Sequence, residues 1–355
     1  KFDYLNHISQ KHFKQSNILL NNLKLRTFKF FNFFYSFTHK NNYFCVIDKY
    51  LNKIENFKLN FSLGQFPILF LYKDLGIKEN VIKSNRKNLF VNDFNFKNDF
   101  EKFLNNFLSK NIPYSFVEEL TDYINNIEKS NLPKNPKSIF APNIINNTFL
   151  TIYCALKKNN ASKLIYAQHG GSYGQHLINS YEYIERKCSD KFLTWGWDDK
   201  NDKRIFKFGR IKSSKQNVVN YKNNKKILLV HRMQKKYITE IDSLSSSLYT
   251  KEYFSGHESF LNTVNSNLRK NIIIRYKSAD YVRQRFFDEK YFSDLNIDKS
   301  EKNIDDLFKS SKVVVAEALQ TTYLESLSLN IPTIVFTNHK SELFREDFIP
   351  YLNKL

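Results

Sequence analysis

The segment Ala167-Gln168-His169-Gly170-Gly171-Ser172-Tyr173-Gly174 follows the short apolar run Leu164-Ile165-Tyr166. The chain has 8 glycines in 355 residues, and three of them, Gly170, Gly171 and Gly174, crowd into this one loop. Glycine adopts positive φ at little cost, so such a cluster turns the backbone sharply and brings N–H groups against a ligand. A histidine at the mouth of the turn titrates near neutral pH and can move a proton. Strand, histidine, glycine-rich turn is how an α/β enzyme presents chemistry at the carboxyl end of a sheet. A tight turn with a structural histidine would read the same way.

A second constellation is Gln320-Thr321-Thr322-Tyr323-Leu324-Glu325-Ser326-Leu327. Thr322 and Glu325 have capping-box spacing, a hydroxyl at the N-cap and a carboxylate at N3. A helix N-terminus offers free N–H groups and partial positive charge, which suits phosphate, and Thr321 and Thr322 add hydroxyls. A well-capped helix without a ligand is the plain alternative. Basic residues follow apolar runs nearby in the sequence: His231 and Arg232 after Ile227–Val230, Arg275 and Lys277 after Asn271–Ile274. Arginine forks suit phosphate or carboxylate.

The first half supplies carboxylates. Glu118 and Glu119 follow Pro113, and Asp190 immediately precedes Lys191-Phe192-Leu193-Thr194. Two carboxylates can act as nucleophile and acid/base at a glycosidic centre. Read singly, Asp190 is a turn residue and Glu118 a solvated one. No His/Cys/Asp spacing suggests zinc, and there is no Walker A loop or G-x-G-x-x-G, so no metal and no bound cofactor are expected.

These residues need elements to hold them. Helical spacing is evident around Phe13–Phe37, over Phe100–Leu108, and from Tyr114 to Ile127 with Phe116, Leu120, Tyr123 and Ile127 inward. Phe66–Leu71 reads as a buried strand. From Ser138 the pattern alternates: strand at Ser138–Ala141, helix at Thr148–Leu156, strands at Leu164–Gln168 and Lys191–Thr194. Asp198–Asn224 is polar and carries the expected domain boundary. Four apolar runs follow, Ile227–Val230, Asn271–Ile274, Lys312–Ala316 and Ile331–Phe336. Strands this apolar are buried on both faces of a parallel sheet. The expected architecture is α/β: two Rossmann-like domains, 1–200 and 222–355, facing a central cleft.

Composition narrows the partners. The chain is 41% hydrophobic, long enough for two cores, and carries a net charge of +20. Its lysines are scattered and no RNA-binding, zinc-finger or basic-zipper signature is present, which makes nucleic acid unlikely. An anionic substrate or an anionic membrane face fits better. Cys45, Cys154 and Cys188 are an odd number without C-x-x-C spacing, consistent with a reducing cytoplasm. No apolar run reaches transmembrane length, and no signal peptide is visible.

Taken together, Gly64-Gln65-Phe66-Pro67, Pro113–Glu118, the His169-Gly170-Gly171 loop, Ser189–Trp197, Thr321–Glu325 and Asn330–Phe336 resemble a family. It is the Leptospira-type transferase family of bacterial surface-polysaccharide synthesis, related to the retaining β-Kdo glycosyltransferases. The likeness covers roughly residues 60 to 355. It implies a GT-B-like fold and a CMP-linked sugar donor, CMP-Kdo first, with a polysaccharide or glycolipid acceptor at the inner membrane face. It also implies a carboxylate nucleophile matched by Asp190, a second carboxylate matched by Glu118, and His169 in the family's loop. Relatives extend beyond both ends, so the chain reads as a fragment. A glycerol- or ribitol-phosphate polymer transferase is the enzymatic alternative, and a noncatalytic polyanion binder the other.

Overall fold

The computed structural model describes residues 43–47, 51, 53–65, 86, 96–130, 132–145, 147–210, 218–232, 247–276, 288–298, 301–336 and 343–354. The helix expected at Phe13–Phe37, the strand expected at Phe66–Leu71 and Lys277 lie outside the described residues. In chain order the elements begin β1 (Phe44–Val46), α1 (Lys53–Ser62), α2 (Asp99–Asn111), α3 (Leu120–Lys129), β2 (Ser138–Phe140), α4 (Thr148–Asn159) and β3 (Lys163–Ala167). Then come α5 (Ser180–Cys188), β4 (Lys191–Thr194), β5 (Ile205–Lys207), β6 (Lys226–Val230), α6 (Ser247–Thr263), α7 (Ser266–Arg269) and β7 (Ile272–Arg275). The last are β8 (Asn296–Asp298), α8 (Ile304–Ser310), β9 (Ser311–Ala316), α9 (Thr321–Ser328), β10 (Thr333–Val335) and α10 (Ile349–Leu352).

The strands form two five-stranded sheets, ordered β1-β2-β3-β4-β5 and β10-β9-β6-β7-β8. The registered pairs are parallel. The α/β class with two parallel sheets is therefore as the alternating pattern requires. Strands of the first sheet end at Lys207 and those of the second begin at Lys226, while compactness divides the chain into Lys1–Tyr166 and Ala167–Leu355.

The second sheet shows why its strands had to be apolar throughout. Alternate side chains along a strand point to opposite faces. Leu229, Ile272, Ile274 and Val315 pack with Leu261, Phe292 and Leu295 in one cluster. Leu228, Ile273 and Val314 pack with Leu307, Phe308 and Leu329 in another. Both faces are thus covered. The chain enters at β6, adds β7 and β8 on one side, then crosses to add β9 and β10 on the other. The reversal between β6 and β9 is a topological switch point, where open α/β sheets leave a crevice outside the strand carboxyl ends.

In the unit Lys1–Tyr166, Cys45, Ile139, Phe149 and Tyr153 are fully buried. Burial pushes the Cys45 thiol up to about 12, so it is an inert core group, whereas Cys188 is exposed. Asparagine side chains cap several helices: Asn98, Asn147, Asn179 and Asn303 each accept a backbone N–H of the first turn. The segment after Pro113 differs from expectation. A short 3-10 turn occupies Tyr114–Phe116, the helix starts only at Leu120, and Phe116 is exposed. Glu118 and Glu119 therefore precede the helix. The α2 helix has the expected period, yet Phe100, Phe103 and Phe107 are exposed. Among the described residues no helix is long and apolar enough to cross a membrane.

Candidate functional site

The His-Gly-Gly loop is clamped from below by Gln168, which is 1% exposed. Its Oε1 accepts from Trp195 N at 2.9 Å and Trp197 Nε1 at 2.8 Å, and its Nε2 donates to Gly170 O at 2.8 Å. Gly174 has φ +70°, and a Cβ there would lie 2.6 Å from the Trp197 ring. Gly171 is needed for a different reason. A Cβ at Gly171 would lie 2.2 Å from the Gln320 carbonyl carbon. The loop backbone is that close because Gly171 N donates to Thr321 Oγ1 at 3.0 Å, and Ser172 Oγ donates to Leu319 O at 3.3 Å. The two motifs singled out in the sequence thus meet directly.

Thr321 is the first residue of α9, and Gln320 is its N-cap without a side-chain hydrogen bond. The capping box centred on Thr322 is not formed. Glu325 instead pairs with Arg210 at 3.0 Å, and Arg210 also reaches Ser328 Oγ at 3.0 Å. With Gln320 at the N-cap, Thr322 and Glu325 stand at N2 and N5 inside the helix, out of register for a box, and the carboxylate takes a charged donor instead.

His169 is half-buried beside two groups the sequence did not single out together. The Tyr173 hydroxyl lies 3.1 Å from its Nδ1 and donates to Glu185 Oε2 at 2.9 Å. Glu185 Oε1 is 3.5 Å from His169 Nδ1. Burial raises the Glu185 carboxyl to about 9, the Tyr173 hydrogen bond opposing and the Glu182 charge assisting. Glu185 therefore holds its proton at pH 7 and presents no negative charge to His169, to which it is linked through the Tyr173 hydroxyl. Glu182, on the same helix α5, accepts from Gly174 N at 2.8 Å and pairs with Arg186 at 3.1 Å and Arg345 at 2.8 Å. Arg345 also lies over the Trp197 ring, 5.5 Å from its centroid. These arginines, with His176 and Arg204, line a cavity of about 520 Å³.

At the switch point His231 follows β6, Tyr276 follows β7 and Glu317 follows β9. His231 Nδ1 lies 2.8 Å from Glu317 Oε2, and His257 Nδ1 contacts Glu317 Oε1. His257 Nε2 lies 3.0 Å from Asp288 Oδ2. Tyr253 adds its hydroxyl to Glu317, and Tyr276 its hydroxyl to Asp288. Burial works to lower His257, but Asp288 and Glu317 outweigh it and raise it to about 10. Glu317, Asp288 and His257 were not singled out in the sequence. The position of Glu317, directly after an apolar strand as His231 is, was the available signal.

The remaining expected site residues separate. Arg232 is buried beside this cluster, its N–H 3.2 Å from the Tyr253 hydroxyl. Arg275 is bound by Asp298 on β8 and by Lys302 O, at the side of β6 away from β9. Glu118 holds Arg86 by two hydrogen bonds of 2.7 and 2.6 Å and belongs to the unit Lys1–Tyr166. Asp190 is exposed at the amino end of β4. His169 lies beyond the carboxyl end of β3, level with Leu193 and its successors, since Gln168 N donates to Leu193 O at 2.8 Å. The structure therefore does not bring Asp190 to His169. The intervening β4 spans roughly 13 Å at the usual rise per residue.

The structure thus sets an α/β fold in which the loop after His169 docks, through Gly171 and Ser172, on the start of α9. The chain belongs to the LIC12162 family of transferases, whose model matches residues 2–355. No curated protein matches significantly. Among solved structures it is similar to the wall teichoic acid polymerase TagF, soaked with CDPG, at 12% identity and a TM-score of 0.29. That alignment covers 56% of this chain and 52% of TagF, so this chain spans about half of that neighbour. A likeness of this size does not bear on the chemistry.

Proposed function

We propose that this protein is a glycosyltransferase that moves a sugar from a CMP-linked donor, CMP-Kdo first, to a hydroxyl of a surface-polysaccharide or glycolipid acceptor. The observation that carries this reading is the docking of Gly171 and Ser172 on Leu319–Thr321, in a chain of a transferase family. It gathers a titratable histidine, two threonine hydroxyls and a helix start in one place. The donor phosphate would lie at the N-terminus of α9, where free N–H groups and the Thr322 hydroxyl stabilise its charge. As the bond from anomeric carbon to phosphate oxygen breaks, charge grows on the departing CMP, and fixed donors favour that state over the ground state. His169 takes the acceptor hydroxyl proton, held in place by the Tyr173 hydroxyl, which Glu185 anchors. The net charge of +20 supports attraction to anionic lipid around a membrane-bound acceptor. In this reading 222–355 handles the donor and 1–200 the acceptor.

Thermal unfolding with CMP-, UDP-, GDP- and CDP-linked compounds tests the donor. A ligand that binds only the folded state raises apparent stability. CMP and CMP-Kdo are expected to protect, and Thr321→Val with Thr322→Val to remove that protection while the protein remains folded. Protection by a CDP-linked polyol in place of CMP would replace the donor. Indifference to every nucleotide would remove the site.

A further inference from the structure

The cluster beneath the switch point has the chemistry of a cation centre, separate from the reaction proposed above. His231 Nδ1, His257 Nδ1 and the two Glu317 oxygens converge, with ligand atoms of the three residues all within 4.8 Å of one another. Their side chains are 1%, 0% and 2% exposed, so the cluster is closed to bulk solvent. The Tyr253 hydroxyl joins the same point, 2.8 Å from His231 Nδ1. On the far side of the His257 ring, Nε2 faces the Asp288 carboxylate at 3.0 Å. A metal-bound imidazole characteristically gives its second N–H to a carboxylate, which fixes its tautomer and orientation. Asp288 is in turn held by the Tyr276 hydroxyl. His231 Nε2 is buried with no hydrogen-bond partner among the described residues, and the ring packs against those of Tyr253, His257 and Tyr276.

We propose that His231, His257 and Glu317 bind one divalent transition-metal ion of the zinc class. Two imidazoles and a carboxylate suit such an ion, whereas magnesium and calcium prefer all-oxygen ligands. An ion displaces the proton that His257 otherwise holds toward Glu317, and its two charges then balance the two buried carboxylates, Glu317 and Asp288. The ligands come from the ends of β6 and β9 and from α6, so the ion ties three elements at the carboxyl edge. Glu317 stands four residues before Thr321 in the sequence, and the centre would thereby fix the segment that receives the Gly171 loop. Its role is structural, since its ligands are closed to solvent. The 60 and 86 positions that separate Glu317 from the two histidines explain why no metal spacing is legible in the sequence.

The test is elemental analysis of the purified full chain after dialysis, with thermal unfolding before and after a strong chelator. One zinc-class ion per chain is expected, with a melting temperature lowered by chelation and restored by added Zn²⁺. His257→Gln and Glu317→Gln are each expected to weaken Zn²⁺ binding by about 100-fold or more, as ligand loss exceeds the effect of losing an outer partner. Cobalt substitution of the wild-type chain gives a second readout that does not depend on a variant folding: visible ligand-field bands of a nitrogen-and-oxygen site. A wild-type chain that carries no stoichiometric metal, gains no stability from Zn²⁺ and shows no cobalt bands would overturn the proposal and leave a hydrogen-bonded ion network. Equal Zn²⁺ stabilisation of wild type and His257→Gln would overturn it too.

Discussion

Gly171 donates its backbone N–H to the Thr321 hydroxyl at 3.0 Å, across 150 positions of sequence. This bond joins the loop after β3 to the start of the helix after β9. It requires a residue without a side chain, because a Cβ at Gly171 would overlap the Gln320 carbonyl group.

Gly171→Ala is therefore expected to destabilise by about 1–3 kcal/mol, the usual cost of forcing extra volume against packed backbone. Donor binding should weaken with it. Gly256→Ala is the matched control. Gly256 lies within α6 with nothing within 4 Å of an added Cβ, and its replacement should stabilise by about 0.5–1 kcal/mol. Urea unfolding of the two variants measures both signs. A neutral Gly171→Ala would mean that the loop does not rest on Gln320.

Glu325 separates two accounts of α9. A capping box predicts that Thr322→Ala costs about 1 kcal/mol. The observed pairing places the cost elsewhere. Glu325→Ala removes the carboxylate from Arg210, whose side chain is 15% exposed and keeps the neutral Ser328 hydroxyl as a partner, and should cost up to about 3 kcal/mol after allowance for residual solvent. Thr322→Ala should change stability by less than about 0.5 kcal/mol. A double-mutant cycle with Arg210→Ala should show strong non-additivity.

How much of this was readable depends on which forces act locally. The apolar runs at Ile227–Val230, Asn271–Ile274 and Lys312–Ala316 declared a sheet covered on both faces, because burial on both sides leaves no polar alternation. The short strand β8, Asn-Ile-Asp, lacks such a run and was not apparent, whereas β1 lies within the apolar run Tyr43–Ile47, which was visible and was not read as a strand. The His-Gly-Gly loop and the Thr321 segment were legible as candidate sites, since glycine clustering and a helix start have local signatures. The pairing of Glu325 was not, because the helix has its N-cap at Gln320, two residues earlier than the Thr322 box requires, and Arg210 lies 115 positions away. Nor was the Tyr173–Glu185 support of His169: Glu185 looks like any acidic helix residue until burial is known.

Glu185 should make stability depend on pH in a defined direction. Its folded value of about 9 lies above its ordinary value of 4.5. Below pH 4.5 both folded and unfolded states hold the proton, and the contribution is fully present. Between about 4.5 and 9 the unfolded state ionises while the folded state does not, so stability falls as pH rises. The limiting slope for one proton is about 1.4 kcal/mol per pH unit. Glu185→Gln keeps a neutral hydrogen-bonding group and should flatten this slope in urea titrations from pH 5 to 9. An unchanged slope would assign it to other groups.

The positions of His169 and Asp190 lead to opposite expectations for their variants. His169 lies at the carboxyl edge beside the Gly171–Thr321 junction, where the proposed donor would sit. Asp190 stands at the other end of β4, exposed and near Arg204, whose guanidinium feels its charge. A nucleophile must reach the anomeric carbon to within about 3–3.5 Å. A strand-length of separation from the histidine forbids both groups from touching one sugar. In the transferase assay, His169→Asn should therefore lower turnover by about 10²–10⁴-fold with CMP protection retained. Asp190→Asn should retain turnover within a few-fold. Trapping with donor alone, followed by mass spectrometry, distinguishes the remaining case. A sugar adduct on wild type that Asp190→Asn abolishes, together with loss of turnover, would restore Asp190 as the nucleophile and require the β4 edge to belong to the site.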